Sequence, residues 1–124
     1  MEQLEFSEEY IDASQYSDMQ ELLYVSDILV TDYSSSMWDF ALMNKPCFLL
    51  ATDLNHYDLS RGFYTDIHTW PYPLAENTEE LLSNIQNFNS LIYYKDVQKH
   101  FDNLGNQESG DSAKKVCEYM LKNL

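Results

Sequence analysis

Apolar and polar positions follow one another along the chain in blocks that predict an α/β fold. Ile28–Thr31 and Cys47–Ala51 are short apolar, β-favouring runs, which suit strands buried on both faces of a parallel sheet. Between them, Met37–Met43 has the pattern of a mostly buried helix that ends before Pro46, a residue that cannot continue a helix. Strand, helix and strand in this order predict a compact βαβ unit with a right-handed crossover.

Further helices are predicted on both sides of this unit. Ser17 and Gln20 have the spacing of a capping box, so a helix is expected to run from there to about Val25. Asn77 is a second N-cap candidate. Apolar residues then recur at helical spacing in three segments: Leu81, Leu82, Ile85 and Phe88; Leu91, Tyr94, Val97 and Phe101; and Ala113, Val116, Cys117, Met120 and Leu121. The last of these stripes is expected to pack into the core.

The remaining segments complete the predicted architecture. Glu9–Ala13 is predicted as a further short strand and residues 53–76 as a long loop, of a length that usually has a function. The expected fold is α/β, with about three parallel strands and helices on both faces, half of a doubly wound domain. The chain has 124 residues, which predicts a single domain over residues 1–124.

Composition narrows the class of protein. The formal net charge is −14, which argues against nucleic acid and against an anionic membrane surface as direct partners, because both attract basic faces. No apolar run approaches the ~20 residues of a membrane span, and the start lacks the features of a signal peptide. The two cysteines, Cys47 and Cys117, form no ligand pattern. We therefore expect a cytoplasmic chain with reduced thiols.

The charges are also unevenly placed. Of the seven Lys and Arg residues, only Lys45 and Arg61 precede residue 95, whereas 16 of the 21 carboxylates do. Lys45 is expected to be a solvated cation at a helix end. An anion bound in this first stretch would depend on backbone N–H groups and on very few cations.

The candidate chemistry lies where the first strand turns into the helix. Ser34, Ser35 and Ser36 stand at the predicted carboxyl end of a strand, where ligands bind in open α/β sheets. A helix N-terminus presents unpaired N–H groups and a partial positive charge, which together bind phosphate without a basic side chain. The alternative is that these serines only cap the helix, since serine is a preferred N-cap residue without any ligand.

Three charged residues accompany this turn. Asp32 is expected either to stabilise the turn or to contact a ligand hydroxyl, and Asp39 either to accept a ribose hydroxyl or to face solvent. Arg61 is an isolated loop guanidinium that can grip phosphate oxygens, although a salt bridge would also explain it. The histidines His56, His68 and His100 have no metal-ligand spacing, so no metal and no cofactor is predicted.

These residues resemble a known family. Ser26–Phe40 is similar to the signature of CDP-glycerol:poly(glycerophosphate) glycerophosphotransferases, which polymerise wall teichoic acid. The similarity continues through Lys45-Pro46 and then through Asp53, Tyr57 and Arg61–Tyr64. Further on it includes Thr78–Leu81 and, more loosely, Gly110 with Ser112-Ala113. It covers most of Ser17–Leu121.

The resemblance implies an enzyme of the GT-B type, with two Rossmann-like domains, of which this chain matches the C-terminal, partial Rossmann-like part that holds a CDP-activated donor. It implies that Ser34, Ser35, Ser36 and Arg61 contact the donor phosphates and that Asp32 and Asp39 shape the pocket. The implied reaction transfers glycerol phosphate from CDP-glycerol to a lipid-linked teichoic acid chain and releases CMP.

Several expectations about the whole enzyme follow from the same resemblance. The catalytic base and the acceptor cleft are expected outside this chain, so no catalytic residue is assigned and the chain alone is expected to be inactive. The parent enzyme would lie at the inner face of the plasma membrane, without direct membrane contact by this part. The open alternatives are a CDP-ribitol or nucleotide-sugar transferase, and a non-catalytic acidic interaction module.

Overall fold

The computed structural model of the chain describes residues 10–56, 62–63 and 65–124. Three parallel strands form one sheet in the order β1-β2-β3. The strands are β1 (Leu29–Thr31), β2 (Cys47–Leu50) and β3 (Leu74–Ala75); the main helices are α1 (Met19–Val25), α2 (Ser36–Leu42), α3 (Thr78–Gln86), α4 (Ser90–Leu104) and α5 (Ser112–Lys122), with a 3₁₀ turn at Ile67–Thr69. No helix in the described ranges is long and apolar enough to cross a membrane.

The central strand β2 is covered on both faces. Side chains alternate along a strand, and here Cys47 and Leu49 join a core cluster to which α1, α2 and α4 contribute, while Phe48 joins a second cluster with Leu81 of α3. The side chains of Cys47, Phe48 and Leu49 are at most 1% exposed. The predicted α/β fold, with helices on both faces of a small parallel sheet, is confirmed.

The edge strand β1 is less buried than its sequence suggests. Val30 is paired in register with Phe48, yet it is 44% exposed, and Ile28 just before the strand is 50% exposed. Helix α3 packs against β2 and β3 but has no comparable contact with β1. The prediction that this run is buried on both faces is therefore wrong, because only one face of β1 is covered within the described residues.

The third strand is not the one that the sequence predicts. Tyr10–Ala13 forms no strand, and Glu9 lies outside the described residues. The third strand is instead Leu74–Ala75, inside the region predicted as a long loop, and it pairs with Leu49 and Leu50 of β2. Two residues are too few to show a period of two, which is why the pattern missed this strand.

The start of α1 is one residue later than the capping pattern predicts. The carboxylate of Asp18, not the hydroxyl of Ser17, accepts hydrogen bonds from the N–H groups of Gln20 and Glu21, at 2.9 and 3.2 Å. Aspartate and serine are both good N-caps, so sequence alone did not decide between neighbouring positions. At α3 the predicted cap, Asn77, is confirmed.

The apolar stripe of α5 does not pack into the core. Val116 is 57%, Met120 58% and Leu121 73% exposed, and α5 has no buried residue. The prediction of core packing is wrong for this helix. Helical periodicity reports that one face is apolar, but it does not show that another element covers that face.

A buried tyrosine joins α4 to the start of β2. The hydroxyl of Tyr93 accepts a hydrogen bond from the Cys47 N–H and donates one to the Lys45 carbonyl oxygen, both at 3.1 Å. Tyr93 is 4% exposed, and burial raises the pKa of its hydroxyl above the usual value. The hydroxyl thus satisfies a backbone donor that would otherwise be buried without a partner.

The Tyr93→Phe substitution should lower the free energy of unfolding by about 1 to 3 kcal/mol, because it leaves the buried Cys47 N–H unpaired. Tyr94→Phe is the matched control: the Tyr94 hydroxyl makes no hydrogen bond within the described residues, so a change below about 0.5 kcal/mol is expected. Urea denaturation measures both. Equal effects of the two substitutions would contradict the role given to Tyr93.

Val116→Ser and Leu121→Ser should each change the free energy of unfolding by less than about 0.5 kcal/mol, because exposed positions tolerate such changes. Phe40→Ala on α2 provides the contrast: Phe40 is fully buried, and loss of a buried Phe costs about 3 to 5 kcal/mol. Thermal or urea unfolding compares the three variants. A large loss on changing Val116 would show that the stripe is covered after all.

Candidate functional site

The carboxyl ends of the three parallel strands share one edge of the sheet. The chain leaves β1 at Thr31, β2 at Leu50 and β3 at Ala75. In open α/β sheets ligands bind outside this edge. The segment that leaves β1 carries Ser34, Ser35 and Ser36, which we call the serine turn, and leads directly into α2. The predicted site segment therefore lies at the edge where a ligand is expected.

The three serines have different roles in the turn. The Ser34 and Ser36 hydroxyls lie 2.8 Å apart and share a hydrogen bond, and the Ser36 N–H donates to the Ser34 Oγ at 3.3 Å. The Met37 N–H donates to the Ser34 carbonyl oxygen at 3.2 Å. Ser34 thus closes the turn locally, one residue before Ser35, the N-cap of α2.

Ser35 is the serine whose hydroxyl makes no hydrogen bond within the described residues. It is exposed, and its side chain makes no capping hydrogen bond. Within the described residues, the backbone N–H groups of Ser34 and Ser35 also have no acceptor. Helix α2 has only seven residues, so its dipole is short. Within the described residues, the available donors at this turn are therefore two N–H groups, the Ser35 hydroxyl and whichever of the Ser34 and Ser36 hydroxyls accepts the bond between them.

The two aspartates predicted to shape the pocket remain exposed. Neither Asp32 nor Asp39 makes a hydrogen bond or an ion pair within the described residues. The alternative in which Asp32 stabilises the turn through its side chain therefore has no bond to support it. Asp39 borders a cavity of about 280 Å³ that Trp38 and Phe101 also line. The contact of Asp32 and Asp39 with a ligand stays a prediction.

Arg61 and Tyr57 lie outside the described residues, so the predicted phosphate contact of Arg61 stays a prediction from sequence. Gly62, which follows it, has a φ of 69°. This left-handed conformation suits glycine, which has no Cβ to clash. Phe63 comes next and packs against the Tyr33 ring, with ring centroids 5.4 Å apart. In the sequence, Arg61 therefore lies two positions before Phe63, which contacts Tyr33, the residue that precedes the serine turn.

Four aromatic rings, two of which flank the serine turn in the sequence, contact one another in a row. Tyr33, Phe63, Trp70 and Trp38 contact one another in this order, with ring centroids 5.4, 5.7 and 5.4 Å apart. Trp38 also stacks on the ring of His100 at 5.4 Å, and burial lowers the pKa of that imidazole. We call these four rings the aromatic row.

One polar contact at this edge was not singled out from the sequence. The Tyr33 hydroxyl donates a hydrogen bond of 2.9 Å to the Asp53 carboxylate, across 20 positions of the chain. Asp53 follows β2, whereas Tyr33 precedes the serine turn. The bond therefore connects the segments that leave two neighbouring strands.

A cavity of about 400 Å³ opens beside Phe63, after β2 and before α3. Its polar lining includes Asn55, Thr65, Asp66 and Glu76, together with His68, while His56 is not part of it. Its two carboxylates disfavour an anion. Within the described residues no group of three or more His, Cys, Asp or Glu side chains could hold a metal ion.

Lys45, the described cation nearest in sequence to the serine turn, is already occupied. Its Nζ donates to the carbonyl oxygens of Tyr24 and Ser26, the latter at 2.8 Å, and lies 5.8 Å from the Phe40 ring centroid. It is a helix-end cation, as predicted, but it caps α1, not α2, and is half-buried rather than fully solvated. Lys45 is therefore engaged elsewhere and not available to an anion at the serine turn.

Relatives with known roles match most of this chain. A teichoic acid poly(glycerol phosphate) polymerase of Bacillus spizizenii is 37% identical over 119 residues, which cover 94% of this chain and 30% of the relative. The polymerase of the same description from Bacillus subtilis is 39% identical over 115 residues, 90% of this chain and 15% of the relative. A teichoic acid poly(ribitol-phosphate) polymerase of Bacillus spizizenii is 33% identical, over 94% of this chain and 19% of its own length.

A solved structure shares the fold of this chain. The wall teichoic acid polymerase TagF, soaked with CDPG, matches with a TM-score of 0.72 and 30% sequence identity, over 92% of this chain and 29% of that one. This likeness confirms the predicted GT-B type of fold for the matched part.

The chain spans no more than about a third of the length of these relatives. The family model for CDP-Glycerol:Poly(glycerophosphate) glycerophosphotransferase matches residues 1–122. Together with the relatives and the shared fold, this match shows that the chain belongs to the CDP-glycerol:poly(glycerophosphate) glycerophosphotransferase family.

Proposed function

We propose that this chain is the donor-binding portion of a glycerophosphotransferase, which transfers glycerol phosphate from CDP-glycerol to a growing teichoic acid chain and releases CMP. One observation carries the proposal. In this member of the family, the serine turn lies at the carboxyl edge of the sheet and has unpaired hydrogen-bond donors. The match to TagF soaked with CDPG supports the same class of ligand.

In the proposed complex the CDP diphosphate lies against the serine turn. The N–H groups of Ser34 and Ser35 and the Ser35 hydroxyl donate to phosphate oxygens, and Ser34 and Ser36 hold the turn in shape. Arg61 supplies the cation that the described part of this edge lacks. Asp32 and Asp39 border the site, where carboxylates accept ribose or glycerol hydroxyls but repel phosphate.

The proposed reaction moves one glycerol phosphate unit. A terminal glycerol hydroxyl of the acceptor attacks the phosphorus next to the donor glycerol, and the bond from that phosphorus to the bridging oxygen breaks. CMP leaves with the electron pair, and a base takes the hydroxyl proton. Donors fixed at the departing phosphate stabilise its charge in the transition state. This chain contributes only the part of the site that binds the donor. The base lies in the part of the relatives that this chain does not match.

The setting of the reaction follows from the same proposal. The acceptor is a lipid-linked teichoic acid chain, so the whole enzyme would work at the inner face of the plasma membrane. The acceptor would be bound through the part of the enzyme outside this chain. The charge of −14 gives this part no attraction to an anionic membrane.

A transferase that uses CDP-ribitol is the second candidate. One observation favours it specifically: the poly(ribitol-phosphate) polymerase of Bacillus spizizenii matches 94% of this chain at 33% identity. The two donors differ only in the polyol, so a side-by-side titration distinguishes them. A non-catalytic interaction module would respond to neither donor.

CDP-glycerol at millimolar concentration should shift the backbone amide signals of Ser34–Met37 and the Arg61 side-chain signal, because these groups are proposed to meet the phosphates. CDP should shift the same signals, and CDP-ribitol should bind more weakly than CDP-glycerol. Two-dimensional NMR titration makes these measurements. If CDP-glycerol leaves the amide signals of the serine turn unchanged, the proposal is contradicted.

Ser35→Asp should weaken CDP-glycerol binding by about tenfold or more, since two charges ~4 Å apart in water interact by about 1 kcal/mol per charge pair and more strongly near a protein. The matched control is Ser83→Asp on α3, an exposed serine that is not at this edge. It adds the same charge and should leave the affinity within about twofold. Equal losses in both variants would mean that overall charge, not the serine turn, governs binding.

The chain alone should release no CMP from CDP-glycerol in the presence of a glycerol phosphate polymer, because the proposed base lies outside it. Chromatography of the reaction mixture measures CMP, with buffer and heat-unfolded chain as controls. Release above those controls would show that this chain contains the transferring groups.

A further inference from the structure

The serine turn is held at both of its ends by the aromatic row. Tyr33 stands immediately before the turn and Trp38 two residues after it, and Phe63 and Trp70 connect these two rings to each other. The turn therefore spans a row of rings in mutual contact. A backbone anchored on both sides can present its N–H groups in one arrangement, which is what binding through preorganised donors requires.

The end of the turn at Tyr33 has a polar anchor in addition. The Tyr33 hydroxyl donates to Asp53 at 2.9 Å, and Asp53 lies on the segment that leaves β2. Trp38 at the other end is fixed by its stack on His100 and its packing on Tyr72. The exposed bond to Asp53 is thus the polar counterpart of a partly buried aromatic anchor.

The Tyr33 to Asp53 bond has little to do for stability. Tyr33 is half-buried and Asp53 is exposed, and a hydrogen bond open to solvent contributes little to folding because water replaces either partner. Its position is more informative than its strength. It joins the segments after β1 and β2 at the edge where the ligand is proposed to bind, one residue from the first donor of the turn.

We propose that Tyr33 and Asp53 are positioning residues for the serine turn: their hydrogen bond fixes the turn so that its N–H groups point at the diphosphate of a nucleoside diphosphate donor. This inference rests on the proposed function for its ligand. It adds two residues that act through Ser34–Ser36 and do not themselves touch the phosphates. Asp53 performs this role as an acceptor, so its carbonyl-type oxygen matters more than its charge.

The test uses a double-mutant cycle in the complete chain. Tyr33→Phe removes the hydroxyl and keeps the ring on Phe63, and Asp53→Ala removes the acceptor. Each should weaken CDP-glycerol binding about three- to tenfold, the range for one hydrogen bond. The double variant should lose no more than the larger single loss, because both changes remove the same bond. Asp53→Asn keeps an acceptor and should bind within about twofold of the unchanged chain.

Tyr16→Phe is the matched control. The Tyr16 hydroxyl donates to Glu21 at 2.6 Å, so the substitution removes the same kind of exposed bond on a different part of the chain. It should leave the affinity for CDP-glycerol unchanged. A similar loss in Tyr16→Phe, additive losses in the cycle, or full affinity in Tyr33→Phe would each overturn the inference.

A second measurement separates this inference from the proposed function. In the unliganded chain, Tyr33→Phe and Asp53→Ala should speed hydrogen exchange of the Ser34–Ser36 amides about threefold or more, with little change in the thermal midpoint. If the unchanged chain binds no CDP-glycerol, the proposed function fails, and the exchange rates still decide whether the bond holds the turn. Unchanged exchange in both variants would show that it does not.

Discussion

The burial of the first three residues of β2 is the constraint on which the rest of the structure depends. Cys47, Phe48 and Leu49 are almost inaccessible to solvent, so this strand needs a layer of helix on each face. Alternation assigns Cys47 and Leu49 to one layer and Phe48 to the other. Because β1 and β3 both pair with this strand in parallel, their carboxyl ends meet at one edge. The serine turn owes its place at that edge to this arrangement.

The burial also explains a polar feature of the core. A strand without solvent contact needs a partner for every backbone donor, and the first donor of β2 finds one in the Tyr93 hydroxyl. Burial raises the pKa of the neighbouring Cys47 thiol to about 12. The thiol therefore stays protonated at neutral pH and behaves as a small apolar side chain.

Sequence reasoning succeeded where a local pattern had one physical meaning. The strands β1 and β2 and the capped start of α3 were predictable, since apolar β-favouring runs and caps leave signals in neighbouring residues. It failed where the answer depended on distant partners. The stripe of α5 showed an apolar face without showing what covers it, and Leu74–Ala75 was too short to have a period.

The candidate site shows the same division. Ser34–Ser36 were predictable because hydroxyl side chains before a helix have few roles, and the family resemblance, which is confirmed, named a ligand class for them. Sequence did not reveal that Ser34 closes the turn and leaves Ser35 open, because the three residues are identical. The hydrogen bond from Tyr33 to Asp53 spans 20 positions, and no local sequence pattern in either segment indicates it. The phosphate contact of Arg61 stays a prediction.

Helix α5 has a consequence for cooperativity. Its 11 residues include no buried side chain, and it is joined to α4 through Gly105 and Gly110, both in the left-handed conformation. An isolated helix of this length is marginal in water, and here it is supported by local bonds such as the ion pair from Lys115 to Asp111 at 2.9 Å. We therefore expect this helix to melt as a separate unit below the main transition, so that unfolding of the chain departs from a single two-state event.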